Sequence, residues 1–138
     1  MKLAKYKVIN VDSILVASRI NRIADKEVKD ALLKEYLEIH KIAEAAKADQ
    51  NEISRKFNAD WRDEATAVAK YRNAGKPVVG HLEFLDAERD AENAIQDLLK
   101  AEVDIDITPV PTDDIMAVSE DITLGQIAML QEYGIIKT

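Results

Sequence analysis

The sequence predicts a mainly α-helical protein: a long, coiled-coil-like antiparallel helical hairpin, with short flanking helices and a small two-stranded β-ribbon. Three observations lead there. Apolar positions recur at alternating steps of four and three along Leu32, Tyr36, Ile39, Ala43, Ala46, Gln50, Ile53 and Phe57, the seam of a helix that packs on another helix. Aromatic residues make up only 5% of the chain while Ala is abundant, which suits close-packed helices better than a sandwich. No Gly or Pro interrupts the chain before Gly75.

A length of 138 residues is read as a single domain, 1–138, able to bury a modest core. Residues 1–24 are expected to form a strand and a helix. Lys5 to Ile9 is rich in β-formers and ends at Asn10, which predicts a short strand. Asp12 or Ser13 then caps a helix through Ile14, Leu15, Val16, Ile20 and Ile23, with Arg19 and Arg22 near its C-terminal end, where cations suit the dipole.

Asp25 is the expected N-cap of the long helix, which occupies 25–72. Its exposed positions carry charge pairs such as Lys34–Glu38 and Glu52–Lys56. Each pair is worth only about 0.2–0.5 kcal/mol, so the apolar seam decides the structure. Two readings stay open near 58–60. Either Asp60 caps a second helix carrying Trp61, Ala65 and Val68, or one helix continues to Arg72 and reaches about 70 Å. The segment Asn73-Ala74-Gly75-Lys76-Pro77 is the clearest breaker.

A returning helix follows at 83–101, with Phe84, Ala91, Ile95 and Leu98 as its stripe, widened by Leu85, Ala94 and Leu99. The short connection favours antiparallel packing on the long helix. Residues 103–110 alternate Val103, Ile105 and Ile107 against Asp104, Asp106 and Thr108, the pattern of a strand closed by Pro109 and Pro111. Its backbone needs a partner, expected at Tyr6–Ile9, where Lys5 and Lys7 complement the aspartates. Pro111–Asp121 reads as a polar connector. Thr123 caps a final helix at 123–133 that ends at Gly134.

Charge is uneven. Residues 1–24 hold five basic residues against one Asp, 25–74 hold ten against eleven acids, and 75–138 hold four against fourteen. The acidic C-terminal half argues against direct contact with nucleic acid. No stretch approaches the roughly 20 apolar residues of a membrane span. The N-terminus is charged but has no apolar signal core, which predicts a protein retained in the cell that makes it. The absence of cysteine excludes disulfides and thiolate metal sites.

The chemistry-bearing residues favour no reaction, and the expectation is a protein that is not an enzyme, with no catalytic, cofactor-binding or metal-binding residues and no cofactor. His40 has Tyr36 and Glu44 one turn to either side, but the Glu-x-x-His pattern of di-metal bundles fails because residue 37 is Leu. His81 follows Gly80 in a turn with no partner in sequence. Asp104 and Asp106 share a strand face that is able to hold Mg²⁺ or Ca²⁺, but the glycine and terminal Glu of a calcium loop are missing. A solvated polar face is the better reading. Isolated Gly75 and Gly80 make no phosphate loop, and the serines fit caps or helix surfaces.

The candidate interface is Gln50, Ile53, Phe57 and Trp61. The returning helix supports about 17 residues and the seam spans about 26, so one end is expected to lack cover within the chain. Trp61 is either an interface anchor or core, and Gln50 either sets register or marks an exposed end.

The Asp25-capped Lys/Glu-rich helix, the turn from Asn73 to Val79 and the junction Leu98-Leu99-Lys100-Ala101-Glu102-Val103-Asp104-Ile105 resemble a family of small, uncharacterised proteins. These are encoded by tailed bacteriophages and prophages and known chiefly as a domain of unknown function. An acidic stretch leading to a final Leu/Ile-rich helix completes a nearly whole-chain likeness, from which this chain departs by a longer, Ala-richer helix. The resemblance implies a virion, tail or assembly component and no catalytic residues. The expected function is therefore non-enzymatic structural, assembly or interaction work. Its partners would be copies of itself, as a homo-oligomer, or a larger viral assembly, in the bacterial cytoplasm or the virion. The alternative is an acidic decoy that binds a basic, nucleic-acid-binding host protein.

Overall fold

The structure is a computed structural model in which residues 1–17, 23–117 and 122–137 are described. Ile20, Arg19 and Arg22, expected at the end of the first helix, lie outside the described residues. The described elements are mainly helical. In chain order they are β1 (Lys2–Ala4), α1 (Lys5–Ala17), α2 (Lys26–Asp60), α3 (Arg62–Asn73), α4 (Leu82–Lys100), β2 (Glu102–Asp104), β3 (Val110–Pro111), α5 (Thr112–Ala117), α6 (Leu124–Glu132) and β4 (Ile136–Lys137). Where length suggested one domain, the contacts form two compact units. The first is Met1–Ala46 with Lys100–Thr138, the second Lys47–Leu99, and α2 is a continuous helix contributing to both.

In the first unit the strand expected at Lys5–Ile9 is helix, and this corrects the sequence reading. Val8, Val11 and Leu15 recur at helical spacing, and all are buried. Burial of that face outweighs the β-preference of its branched residues, because strand propensity largely reflects the packing environment. The strand lies instead at β1, antiparallel to β2, with Lys2 opposite Asp104, Leu3 opposite Val103 and Ala4 opposite Glu102. The Met1 carbonyl accepts from the Ile105 N–H at 2.8 Å, and the Lys5 N–H donates to Ala101 O at 2.9 Å where β1 passes into α1. Lys2 and the N-terminal amine, 3.9 Å from Asp104 Oδ1, thus take the place expected for Lys5 and Lys7. Asp12, expected at the start of a helix, sits instead within α1 and is buried.

The strand expected over 103–110 survives only at its two ends, as β2 and β3. Its alternation is nonetheless real, since Ile105 is buried while Asp104, Asp106 and Thr108 are exposed. The ladder register ends at Lys2 opposite Asp104, with Met1 hydrogen-bonded to Ile105 just beyond it. The polar connector contains α5, and β3 pairs in parallel with β4, Val110 opposite Ile136. Thr123 caps α6 as expected, in a full capping box with Gln126. The unit's core is aliphatic. Leu32, Ile39 and Ala43 of α2 pack with Val8, Val11 and Leu15 of α1, Ile105, Ile115, Leu130 and Ile135. This half of the seam is therefore covered by the first unit's own elements.

The second unit is a thin helical layer. Helix α2 starts in the first unit, where Asp25 caps it as expected, accepting from Glu27 N–H at 2.9 Å and Val28 N–H at 3.2 Å. The helix ends at Asp60, and Trp61 (φ −122°, ψ 22°) turns the chain into α3 without a side-chain cap. The Trp61 N–H still reaches Phe57 O and the Ala65 N–H reaches Trp61 O, so the break is a bend with its hydrogen bonding kept. Gly75 closes α3 with φ 67°. Lys76 N–H donates to Tyr71 O and Gly75 N–H to Arg72 O, the paired bonds of a Schellman ending. Helix α4 then returns antiparallel to α2, with Phe84 against Phe57 and Ile95 further back along a shared groove with Ser54.

Candidate functional site

The candidate interface of Gln50, Ile53, Phe57 and Trp61 lies entirely in the second unit, and all four residues are half-buried. Phe84 rises from the first turn of α4 and packs on two of them. Its ring centroid is 5.5 Å from Phe57 and 6.0 Å from Trp61, the latter edge-on. The end expected to be bare is thus partly covered by its own chain. Covering is incomplete, because Val68 and Phe84 are the large apolar side chains that become buried in this unit. Ile53, Phe57, Trp61, Ile95 and Leu98 all keep partial contact with solvent. Between α2 and α4 runs a groove of about 230 Å³ lined by Ser54, Phe57, Asn58, Glu88, Ala91, Glu92 and Ile95. Arg72 fastens α3 to α4 through a two-pronged ion pair with Glu88, at 3.0 and 2.7 Å. The hydrogen bonds from Arg72 hold the Glu88 carboxyl below its ordinary pKa.

His81 gains partners that its sequence neighbours did not reveal. Its Nδ1 is 3.0 Å from Glu64 Oε2, and its ring meets Tyr71 edge-on. The backbone of His81 is left-handed (φ 57°), and its carbonyl accepts from Leu85 N–H at the start of α4. An open groove of about 410 Å³ beside it is lined by Ala67, Lys70, Tyr71, Ala74, Lys76 and His81.

In the first unit, His40 is half-exposed at the seam edge. Its Nδ1 stands 2.9 Å from Oδ1 of buried Asp12, across the α1–α2 packing. Tyr36 stacks on the imidazole with 5.6 Å between centroids and 29° between planes. Glu44 lies one turn further along α2. Asp12, His40 and Glu44 each offer one ligand atom within 4.8 Å of the others, the group among the described residues with that geometry. His40 and Glu44 were legible as a pair on one helix face. Asp12 was not, because it belongs to another element.

Glu35 was missed altogether. The buried stripe of α2 runs Leu32, Glu35, Ile39, Ala43 and Ala46, with Glu35 where the spacing rule put Tyr36. Glu35 Oε1 accepts from the Thr108 N–H, and Oε2 is buried without a hydrogen-bond partner. Burial raises its pKa, the Thr108 bond opposes the rise, and the nearby Asp106 and Glu38 charges add to it. The adjoining cavity of about 170 Å³ is lined by Ala31, Lys34, Glu35, Glu38, Asp106 and Thr108. Asp104 lies on the ladder opposite Lys2, so it and Asp106 belong to different surroundings.

No family model matches this chain, and comparison with curated proteins and with solved structures returns no match. No described helix is long and apolar enough to cross a membrane.

Proposed function

We propose that the protein is a non-enzymatic assembly or interaction component that associates with further copies of itself through the helix faces of its second unit. The observation that carries this reading is the thinness of that unit. It spends 53 residues to bury two large apolar side chains, and leaves Ile53, Phe57, Trp61, Ile95 and Leu98 half-exposed. Units of this size bury too little to be comfortable alone, and apolar area covered by a neighbour contributes about 25 cal/mol per Å². A helix of a second molecule laid along the α2–α4 groove supplies that cover. We further propose a tailed-phage or prophage setting, with a place in a virion or its assembly, in the bacterial cytoplasm or the particle.

The test is mass in solution by sedimentation over a wide concentration range, for the wild type and an Ile53→Asp/Ile95→Asp variant. Both positions are half-exposed, so the variant can keep its helical circular dichroism; Ile39 is unsuitable because it is fully buried. The reading expects an oligomer that the variant reduces to a folded monomer. A wild type that stays monomeric at high concentration sinks it.

One observation favours the decoy reading. Glu83, Asp86, Asp90 and Asp97 are exposed at steps of three, four and seven along α4, so their carboxylates share a face. That reading expects capture of a basic nucleic-acid-binding protein, lost at high salt and in an Asp90→Lys/Asp97→Lys variant. Capture unaffected by either change would rule it out.

A further inference from the structure

Asp12 occupies a place where a carboxylate is expensive. It lies in the middle of α1 beside Val11 and Leu15 and is 3% exposed. A charge so placed persists when it is paired or when it coordinates a cation. Helix α2 presents His40 and Glu44 towards it, four residues apart and so on one face. Stacking of Tyr36 on the imidazole fixes the ring plane, with Nδ1 aimed at Asp12 Oδ1.

We propose that Asp12, His40 and Glu44 bind a divalent transition-metal ion of the zinc type, which clamps α1 to α2. The donor set decides the class of ion. One imidazole nitrogen with two carboxylate oxygens suits Zn²⁺ and its neighbours, whereas Mg²⁺ and Ca²⁺ prefer oxygen alone. The distances suit it as well. With metal–ligand bonds of about 2.0–2.2 Å, adjacent donors stand roughly 3–3.5 Å apart. The His40–Asp12 separation of 2.9 Å is close to that edge, and the third donor lies within 4.8 Å. Glu44 is exposed, so its carboxylate closes this gap by rotation about its side-chain bonds without disturbing the core. Three protein ligands leave a coordination position for water or for a donor from another molecule. The site lies in the first unit and does not depend on the association proposed for the second.

The experiment titrates Zn²⁺ into the full chain calorimetrically and Co²⁺ spectroscopically, for the wild type, His40→Ala and Glu44→Gln. The proposal expects one ion per chain and a visible Co²⁺ ligand-field spectrum. It also expects affinity weakened at least about tenfold in each variant, and no displacement by excess Mg²⁺. Zn²⁺ should raise the unfolding midpoint of the wild type more than that of either variant. Absence of wild-type binding at micromolar free metal, binding that survives both substitutions, or displacement by Mg²⁺ overturns the proposal. If His40→Ala loses its helical circular dichroism, Glu44→Gln, changed at an exposed position, decides the matter alone.

Discussion

Glu35 is the residue whose chemistry is most at odds with its surroundings, and pH exposes it. Its carboxyl is buried at 5% exposure, one oxygen lacks a partner, and its pKa lies above the ordinary 4.5. Below 4.5 the group is protonated whether the chain is folded or not, so it adds no pH dependence there. Between 4.5 and the raised folded value the native state holds a proton that the unfolded state has released. Stability therefore falls as pH rises through this window, and the loss is complete above the folded pKa. Glu35→Gln keeps an oxygen for the Thr108 N–H and removes the buried charge. It should match the wild type at about pH 4 and gain on it as pH rises through the window, as urea unfolding across that range will show. A variant less stable than wild type at the higher pH contradicts this account. Glu88 works in the opposite sense. Its pKa is lowered by Arg72, so its contribution is present above 4.5 and fades as pH falls through the folded value.

At the level of elements, Phe84 and Thr123 hold the most testable positions. Phe84 is the fully buried ring of the second unit's aromatic cluster, sitting against Phe57 and Trp61. Phe84→Ala removes it and should cost about 3–5 kcal/mol, near the low end if the thin layer collapses onto the gap. Trp61 is the chain's single tryptophan, so its fluorescence reports the loss locally. A variant whose Trp61 transition does not move towards lower denaturant shows that α4 is not held by this ring. Thr123 and Gln126 satisfy each other's backbone donors at the start of α6, and Thr123→Ala should cost about 1 kcal/mol by chemical unfolding. Gly134 ends the same helix with φ 76°, and a Cβ there would stand 2.8 Å from the Met1 Cε. Gly134→Ala should therefore destabilise by about 1 kcal/mol or more, measured in the same way.

On the scale of the whole molecule, the division of the core matters most. The first unit gathers α1, the first half of α2 and the chain's last elements around a branched aliphatic core. The second has almost no fully buried interior. Because buried apolar area sets resistance to opening, the second unit should exchange its amide hydrogens faster than the first in the isolated chain. Association along the α2–α4 groove should slow exchange in that unit selectively as protein concentration rises. Protection independent of concentration counts against self-association. Amide exchange followed by mass spectrometry measures both.

Local pattern by itself determined the helical class, the Asp25 and Thr123 caps and the breaker at Gly75. Each depends on residues within a turn or two of one another, so spacing and cap chemistry suffice. The two readings at 58–60 were resolved by a bend at Trp61, with Asp60, the expected cap, standing instead as the last residue of α2. Tertiary structure alone decided that Lys5–Ile9 is helix, because the face of Val8, Val11 and Leu15 finds a core to enter. It also decided that β3 and β4 pair, that Glu35 and not Tyr36 is the buried member of the seam, and that Asp12 meets His40. These are pairings between positions far apart in sequence, and periodicity carries no information about them. The candidate interface divides along the same line. Spacing picked out Ile53, Phe57 and Trp61, but how much of them Phe84 covers depends on how α4 packs in three dimensions.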